Sequence, residues 1–162
     1  MRPIDTLEAL YRQHALAVFR FAYGLSRNRT EAEDIVSETF ARVLTRANAI
    51  VGTTARAYLL AIARNVFLDG KRRKARDAVL AGDLRSDPPD LLSHIEDRAR
   101  LAAALEALGS LPEGERAALL LRVDHGLRYD EIGLALGISV AAAKVRVHRA
   151  RLRLASASKI GE

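Results

Sequence analysis

The chain has no cysteine and no tryptophan, one methionine and four prolines, and aromatics make up only 5% of its 162 residues. Without cysteine there is no disulfide, thiolate zinc site, iron–sulfur cluster or cysteine nucleophile. So few aromatic and turn residues argue against a β-sandwich or barrel. The longest apolar run, Ala57–Ala63, falls far short of the roughly 20 residues that span a bilayer. The N-terminal MRPIDTLEAL lacks the apolar core of a signal peptide. No membrane insertion and a cytoplasmic location are therefore expected. His14, His94, His125 and His148 are scattered, in no ligand spacing. No glycine loop for phosphate is present. Glu33, Asp34 and Glu38 form a carboxylate cluster, but no histidine near them in sequence completes a metal or acid–base set. No catalysis, metal or cofactor is expected.

Ala, Leu, Arg, Glu and Lys together supply about 55% of the chain, the composition of long helices. The net charge is +6, which favours an anionic partner, nucleic acid first. The charge is also clustered. Arg64 to Arg76 holds six basic residues against Asp69. Lys144 to Lys159 holds six more and no acid. Asp77 to Asp97 holds six acids against Arg85. Two basic patches separated by an acidic stretch suggest two contact surfaces on one polyanion. The acidic stretch contains Pro88–Pro89 among Gly, Ser and Asp, residues that stop a helix and build no core. It reads as a linker over 78–90 between an N-terminal helical domain, 1–77, and a C-terminal one, 91–162. The fold class expected is all-α.

In the first domain Asp5 with Glu8, and Thr30 with Glu33, read as capping boxes. A first helix then runs past Leu25 and breaks at Asn28–Arg29, and a second reaches about Arg46. Thr53 or Thr54 caps a third, roughly Ala55–Ala75, apolar at its start and basic at its end. The acids Glu31, Glu33, Asp34 and Glu38 suit the positive end of a helix dipole; spacing alone leaves open whether they are a solvated face or a docking face. In the second domain helices are expected over 91–108 and from Leu111–Pro112 to about Asp124, ended by His125–Gly126. Residues 129–154 read as a short helix, a tight turn at Gly137 and a basic helix capped by Ser139, the pattern of a helix-turn-helix. Ile132, Leu136, Ile138, Val145 and Leu152 are expected to hold the pair together. Lys144, Arg146, Arg149 and Arg153 are left outside. In such a motif the second helix enters the major groove.

These segments resemble the extracytoplasmic-function group of bacterial sigma factors. AEDIVSETFARV, 32–43, resembles the acidic helix that docks on the polymerase clamp. YLLAIARNVFLDGKRR, 58–73, resembles the helix that reads the −10 element. LPEGERAALLLRVDHGLRYDEIGLALGIS, 111–139, with KVRVHRARLRL after it, resembles the domain that reads the −35 element. The resemblance implies an alternative sigma factor whose partners are core RNA polymerase, promoter DNA and, in many members, an anti-sigma factor. It implies that Glu33, Asp34 and Glu38 meet the polymerase, and that Asn65, Asp69, Lys71, Arg72 and Arg73 lie at the −10 strand. Ser139, Ala141 and Ala142 would be nearest the −35 bases, with Lys144, Arg146, Arg149 and Arg153 on its phosphates. Phe67 is open to two readings, base stacking or core. The chain departs from the family at Tyr58 (usually Trp), Ala142–Ala143 (usually Thr-Val), Val145 (usually Ser) and Gly133 (usually Ala). Gly133 is expected to cost under about 1 kcal/mol in an exposed helix. The competing reading is a helix-turn-helix regulator whose first half senses or dimerises.

Overall fold

A computed structural model describes residues 3–45, 54–81 and 97–160. Seven helices and no strand occur among them: α1 (Pro3–Ser26), α2 (Arg29–Thr45), α3 (Ala55–Ala81), α4 (Asp97–Gly109), α5 (Glu113–Val123), α6 (Tyr129–Leu136) and α7 (Val140–Ile160). The expected all-α class and helix order are found, with three shifts of boundary. The first helix starts at Pro3, so Asp5 is inside it and not its cap; proline fits a first turn, where no amide hydrogen bond is lost. The cap of α2 is Asn28 rather than Thr30: its Oδ1 accepts from the Glu31 amide at 2.9 Å. Asn is as good an N-cap as Thr, and the chain can turn there because Arg27 takes φ +56°. Helix α3 runs to Ala81, so 78–81 continue it, because the residues after Ala75 contain no helix breaker before Gly82. The remainder of the expected linker, 82–90, and the expected helix start at 91–96 lie outside the described residues.

Of Thr53 and Thr54 it is Thr54 that caps α3, and the expected cap at Ser139 is present. Thr54 Oγ1 accepts from the Ala57 amide at 3.2 Å, and Ser139 Oγ from the Ala142 amide at 3.0 Å. Gly126 and Gly137 take φ +64° and +68°, ending α5 and α6 as left-handed turns that glycine adopts without strain.

Helices α1, α2 and α3 form a three-helix bundle around Val18, Phe21, Leu25, Phe40, Leu59 and Leu60. Phe67 is buried in this core, which resolves its two readings in favour of packing. Helices α5, α6 and α7 pack as a second group, and one continuous hydrophobic core joins the two. Helix α5 crosses α1 closely: a Cβ at Gly24 would stand 2.7 Å from Leu120 Cδ1. Helix α6 lies on α3 as well as on α7.

The register of α7 differs from expectation. Val145 and Leu152 are 45% and 54% exposed, while Ala143, Val147 and Ala150 are buried. A basic helix with alanine and valine scattered along it offers two shallow apolar stripes, and only contact with α5 and α6 selects one. The expectation for Gly133 also fails. It is buried at the turn, and a Cβ there would stand 2.8 Å from the Ile138 carbonyl oxygen, so glycine lets α6 and the turn into α7 approach.

Charge crosses between the halves in buried form. Arg64 Nε and Nη2 donate to Glu113 at 2.9 and 2.8 Å, with side-chain exposures of 12% and 16%. Arg116, 7% exposed, donates to the Leu25 carbonyl at the end of α1 and to the Leu111 carbonyl at 3.2 Å. Arg20, itself 59% exposed, pairs with Asp124 nearer the surface. Arg56 Nη2 donates to His125 Nδ1 at 3.2 Å. Arginine has no acceptor, so the neutral ring carries its proton on Nε2, 3.5 Å from Asp124 Oδ2.

Two outcomes follow from this packing. Val147→Ala should cost about 2 kcal/mol and Val145→Ala under about 0.5 kcal/mol, read by urea denaturation; equal costs would refute the register of α7. The second concerns His125. Burial, opposed by Asp124 and assisted by Arg56 and Arg20, pushes its pKa down from 6.5 to about 4. A folded value below the unfolded one stabilises the fold fully above pH 6.5, and that stability is lost as pH falls toward 4. The loss attributable to His125 is about 3 kcal/mol between pH 7 and pH 4. His125→Gln should flatten that part of the pH profile; parallel profiles for the two proteins would place the acid sensitivity elsewhere.

Candidate polymerase and nucleic-acid interfaces

The acidic residues of α2 and the basic end of α3 face each other. Helix α2 buries Ile35, Val36, Thr39 and Phe40 against its neighbours, which turns Glu33, Asp34 and Glu38 outward. Asp34 and Glu38 line an open cleft of about 390 Å³, closed on its other side by Phe67, Arg73, Lys74 and Asp77. Salt bridges tie its rims together. Lys74 Nζ lies 3.2 Å from Glu31, and Arg42 bridges Glu38 at 3.2 Å and Asp69 at 3.0 Å. Partial burial works against the Arg42 charge, but hydrogen bonds to both carboxylates outweigh it and raise its pKa. Glu33 pairs with Arg29 one turn earlier, at 3.4 Å.

Of the residues expected at a −10 strand, Asn65, Asp69 and Arg72 recur at helical spacing along one side of α3. Arg76 continues that row and lines a shallow surface with Asp69, Arg72 and Arg73. It was legible as part of the basic run, though its membership of the row depends on α3 continuing past Ala75. Arg73 turns toward the cleft with α2, and Lys71 lies on the far flank, its Nζ 5.9 Å from the Phe67 ring centre. Asp69 is engaged by Arg42 and, at 3.6 Å, by Arg72. Arg64 belongs to the same basic run in sequence but is removed from this surface by Glu113.

On α7, the spacing of Ser139, Ala142, Arg146, Arg149 and Arg153 puts all five on one side. Ala143 is core, so of the Ala142–Ala143 pair only Ala142 reaches the surface. Arg153 Nε lies 2.8 Å from Glu115, and a Cβ at Gly114 would stand 2.7 Å from Arg146 Nη1, so both guanidinium groups lie along α5. Arg149 is exposed, with no ion-pair partner among the described residues. Ala141 is exposed on another side of the helix. Lys144 projects toward the start of α6, its Nζ 5.8 Å from the Tyr129 ring centre, over which Arg122 also sits at 4.3 Å. The structure thus gathers three of the four basic side chains into one row and separates Lys144 from them. No cluster of three or more His, Cys, Asp or Glu side chains suited to a metal occurs among the described residues. No described helix is long and apolar enough to cross a membrane.

Two family profiles match the chain in order: sigma-70 region 2 over residues 10–77 and sigma-70 region 4 over residues 101–154. The ECF RNA polymerase sigma factor SigE of Mycolicibacterium smegmatis is 39% identical over 158 residues, 91% of this chain and 59% of SigE. The chain therefore spans about three-fifths of that relative's length. The ECF RNA polymerase sigma factor SigL of Mycobacterium tuberculosis is 32% identical over 151 residues, 89% of this chain and 84% of SigL. In structure, the sigma factor RpoE of Bartonella quintana, solved with the anti-sigma factor NepR, superposes with a TM-score of 0.77. It covers 96% of this chain and 98% of that one at 24% identity, a likeness of fold. With both regions matched in order, and a relative 32% identical along 84% of its own length, the chain belongs to the extracytoplasmic-function sigma factors of the sigma-70 family.

Proposed function

We propose that the chain directs core RNA polymerase to promoters as an alternative sigma factor and catalyses no covalent reaction itself. The observation that carries this reading is the ordered pair of regions: an acidic α2 beside a basic α3, followed by a helix-turn-helix with one row of arginines. The first half, through the end of α3, would hold the polymerase and the −10 element, the 91–162 half would read the −35 element, and 82–90 would join them.

Glu33, Asp34 and Glu38 would meet a basic surface of the polymerase. Charge complementarity of this kind sets specificity and association rate more than affinity. Asp34 is exposed on the cleft, whereas Glu38 is already drawn toward Arg42. Asn65 can hydrogen-bond an unstacked base, with Lys71, Arg72 and Arg73 following the backbone. Asp69 would act partly by positioning Arg42 and Arg72 through its salt bridges. On the duplex, Ser139, Ala141 and Ala142 would lie nearest the bases, where alanine offers only apolar contact to a thymine methyl. Arg146, Arg149 and Arg153 would take phosphates, and Lys144 would reach the backbone from the other flank. Phosphate contacts position the protein; base contacts specify. The reading also admits an anti-sigma factor, of the kind that accompanies RpoE in its solved complex.

Transcription in vitro with core polymerase and a genomic library tests the assignment. Initiation at a defined promoter set is expected. A dimeric footprint on duplex DNA without core, and no effect on core, would establish a helix-turn-helix regulator instead. Asp34→Arg should weaken core binding by roughly tenfold with helicity unchanged, because reversal turns attraction into repulsion; unchanged affinity in a pull-down at low salt would move the docking surface. Arg149→Ala should lower DNA affinity evenly across sequences and reduce the log–log salt slope by about one unit. A change of preferred base would instead make Arg149 a base reader.

A further inference from the structure

A second cleft lies apart from the surfaces assigned above. It is open, about 370 Å³ in volume, and is formed by α1, the start of α3 and the segment just after α5. The titratable and charged groups facing it are His14 and Arg20 on α1, Arg56 on α3, and Asp124 and His125 after α5. Arg20 holds Asp124, so those two charges offset each other. Arg56 is different. It is half-buried, yet no acid pairs with it among the described residues. Its Nη2 donates to His125 Nδ1 at 3.2 Å, and its Nε is buried without an acceptor. The His125 side chain is 2% exposed. Its Nε2, which carries the ring proton, also has no hydrogen-bond partner, although Asp124 Oδ2 stands 3.5 Å away. A partly buried cation without a counter-ion and a buried donor without an acceptor are each costly. Both costs fall on one cleft, and a single anion with several oxygens would relieve both.

We propose that this cleft binds the phosphate group of a small phosphomonoester, held by Arg56 and the His125 Nε2–H, with Leu16 against the organic body. The site rests on the packing alone and is independent of the sigma-factor reading. Donors on separate elements suit a tetrahedral oxyanion better than a planar carboxylate. Leu16, 70% exposed, and Ala17 supply an apolar wall. The field in the cleft is positive. Burial and then Arg56 lower the pKa of His14, and at His125 Arg56 and Arg20 act with burial, against Asp124. A bound anion offsets Arg56 and so favours the protonated His14. By linkage, binding tightens as pH falls through the titration of His14.

The full-length chain is titrated with phenyl phosphate at constant ionic strength while the ring resonances of His14, His125 and His148 are followed by NMR. His148 is exposed on α7 and reports binding to the basic row there. His14 and His125 should move together and saturate, half-complete near roughly 1 mM, the range that a few charge-assisted hydrogen bonds in an open cleft support. His148 should stay. His14 should titrate at higher pH in sulfate, a tetrahedral dianion that does not itself titrate there, than in chloride of equal ionic strength. Arg56→Gln should raise the half-saturation roughly tenfold, the loss of one hydrogen bond to a charged group. Should Arg56→Gln lose helicity by circular dichroism, Leu16→Asp changes only an exposed position and should weaken binding at least as much, by placing a carboxylate at the cleft. Inorganic phosphate should bind the same site more weakly, because it leaves Leu16 uncovered; equal affinity overturns the organic body. Benzoate binding as tightly as phenyl phosphate overturns the choice of phosphate. Shifts that do not saturate, His148 moving with His14, or unchanged affinity in Leu16→Asp or in a folded Arg56→Gln overturn the site.

Discussion

Arg116 is the residue on which the arrangement of the chain depends. A guanidinium that is 7% exposed must find acceptors, and the two it finds are carbonyls that would otherwise be open. One is Leu25, in the last turn of α1, where the carbonyls have no helical partner. The other is Leu111, at the joint between α4 and α5. One side chain thus fixes where the first helix ends, how α5 starts and how the two sit together. Burial, and secondarily the nearby Arg27, lowers its pKa, while Glu113 acts in the other direction. The site is costly for a cation, so its geometry is tightly specified. Glycine clears space where α1, α4 and α5 meet: a Cβ at Gly109 would collide with the Arg27 guanidinium, and one at Gly24 with Leu120.

Around that joint, the polar side chains divide into three kinds. Arg64, Glu113 and Arg116 face inward and set the relation of the halves, with the more exposed Arg20–Asp124 pair beside them. Asn65, Arg72, Arg76 and Arg149 face outward and are free of any buried partner. Between these lie Arg42, Arg146 and Arg153, whose guanidinium groups lie along acids or backbone of a neighbouring helix. Such side chains are held in place before any ligand arrives, which lowers the ordering cost of binding. The net charge of the chain does not distinguish these classes, although only the second and third can meet a polyanion.

The departures from the family pattern also acquire physical meaning from the packing. Ala143 is a core residue against α5 and α6, so a larger β-branched residue there would change the seating of α7. Gly133 lets the turn close against α6, a role that composition assigned to a mere loss of helix propensity. Val145, by contrast, is half exposed and leaves the helix-turn-helix core unchanged.

The sequence by itself determined the all-α class, the helix order, the turn at Gly137 and the cap at Ser139, because these rest on local rules: apolar spacing, side-chain oxygens at helix starts, glycine where φ is positive. It also separated the basic and acidic segments, since charge is a property of the chain. It did not determine the register of α7, where two apolar stripes compete and only α5 and α6 choose Val147 over Val145. Nor did it show that Arg64 is withdrawn from its own basic run, that Glu38 and Asp69 share Arg42, or that His125 titrates far below the ordinary range. Each of those depends on a partner from another helix, between 27 and 69 residues away in the chain. Local periodicity carries no information about which helix will be the neighbour, and burial of charge is decided only when that neighbour arrives.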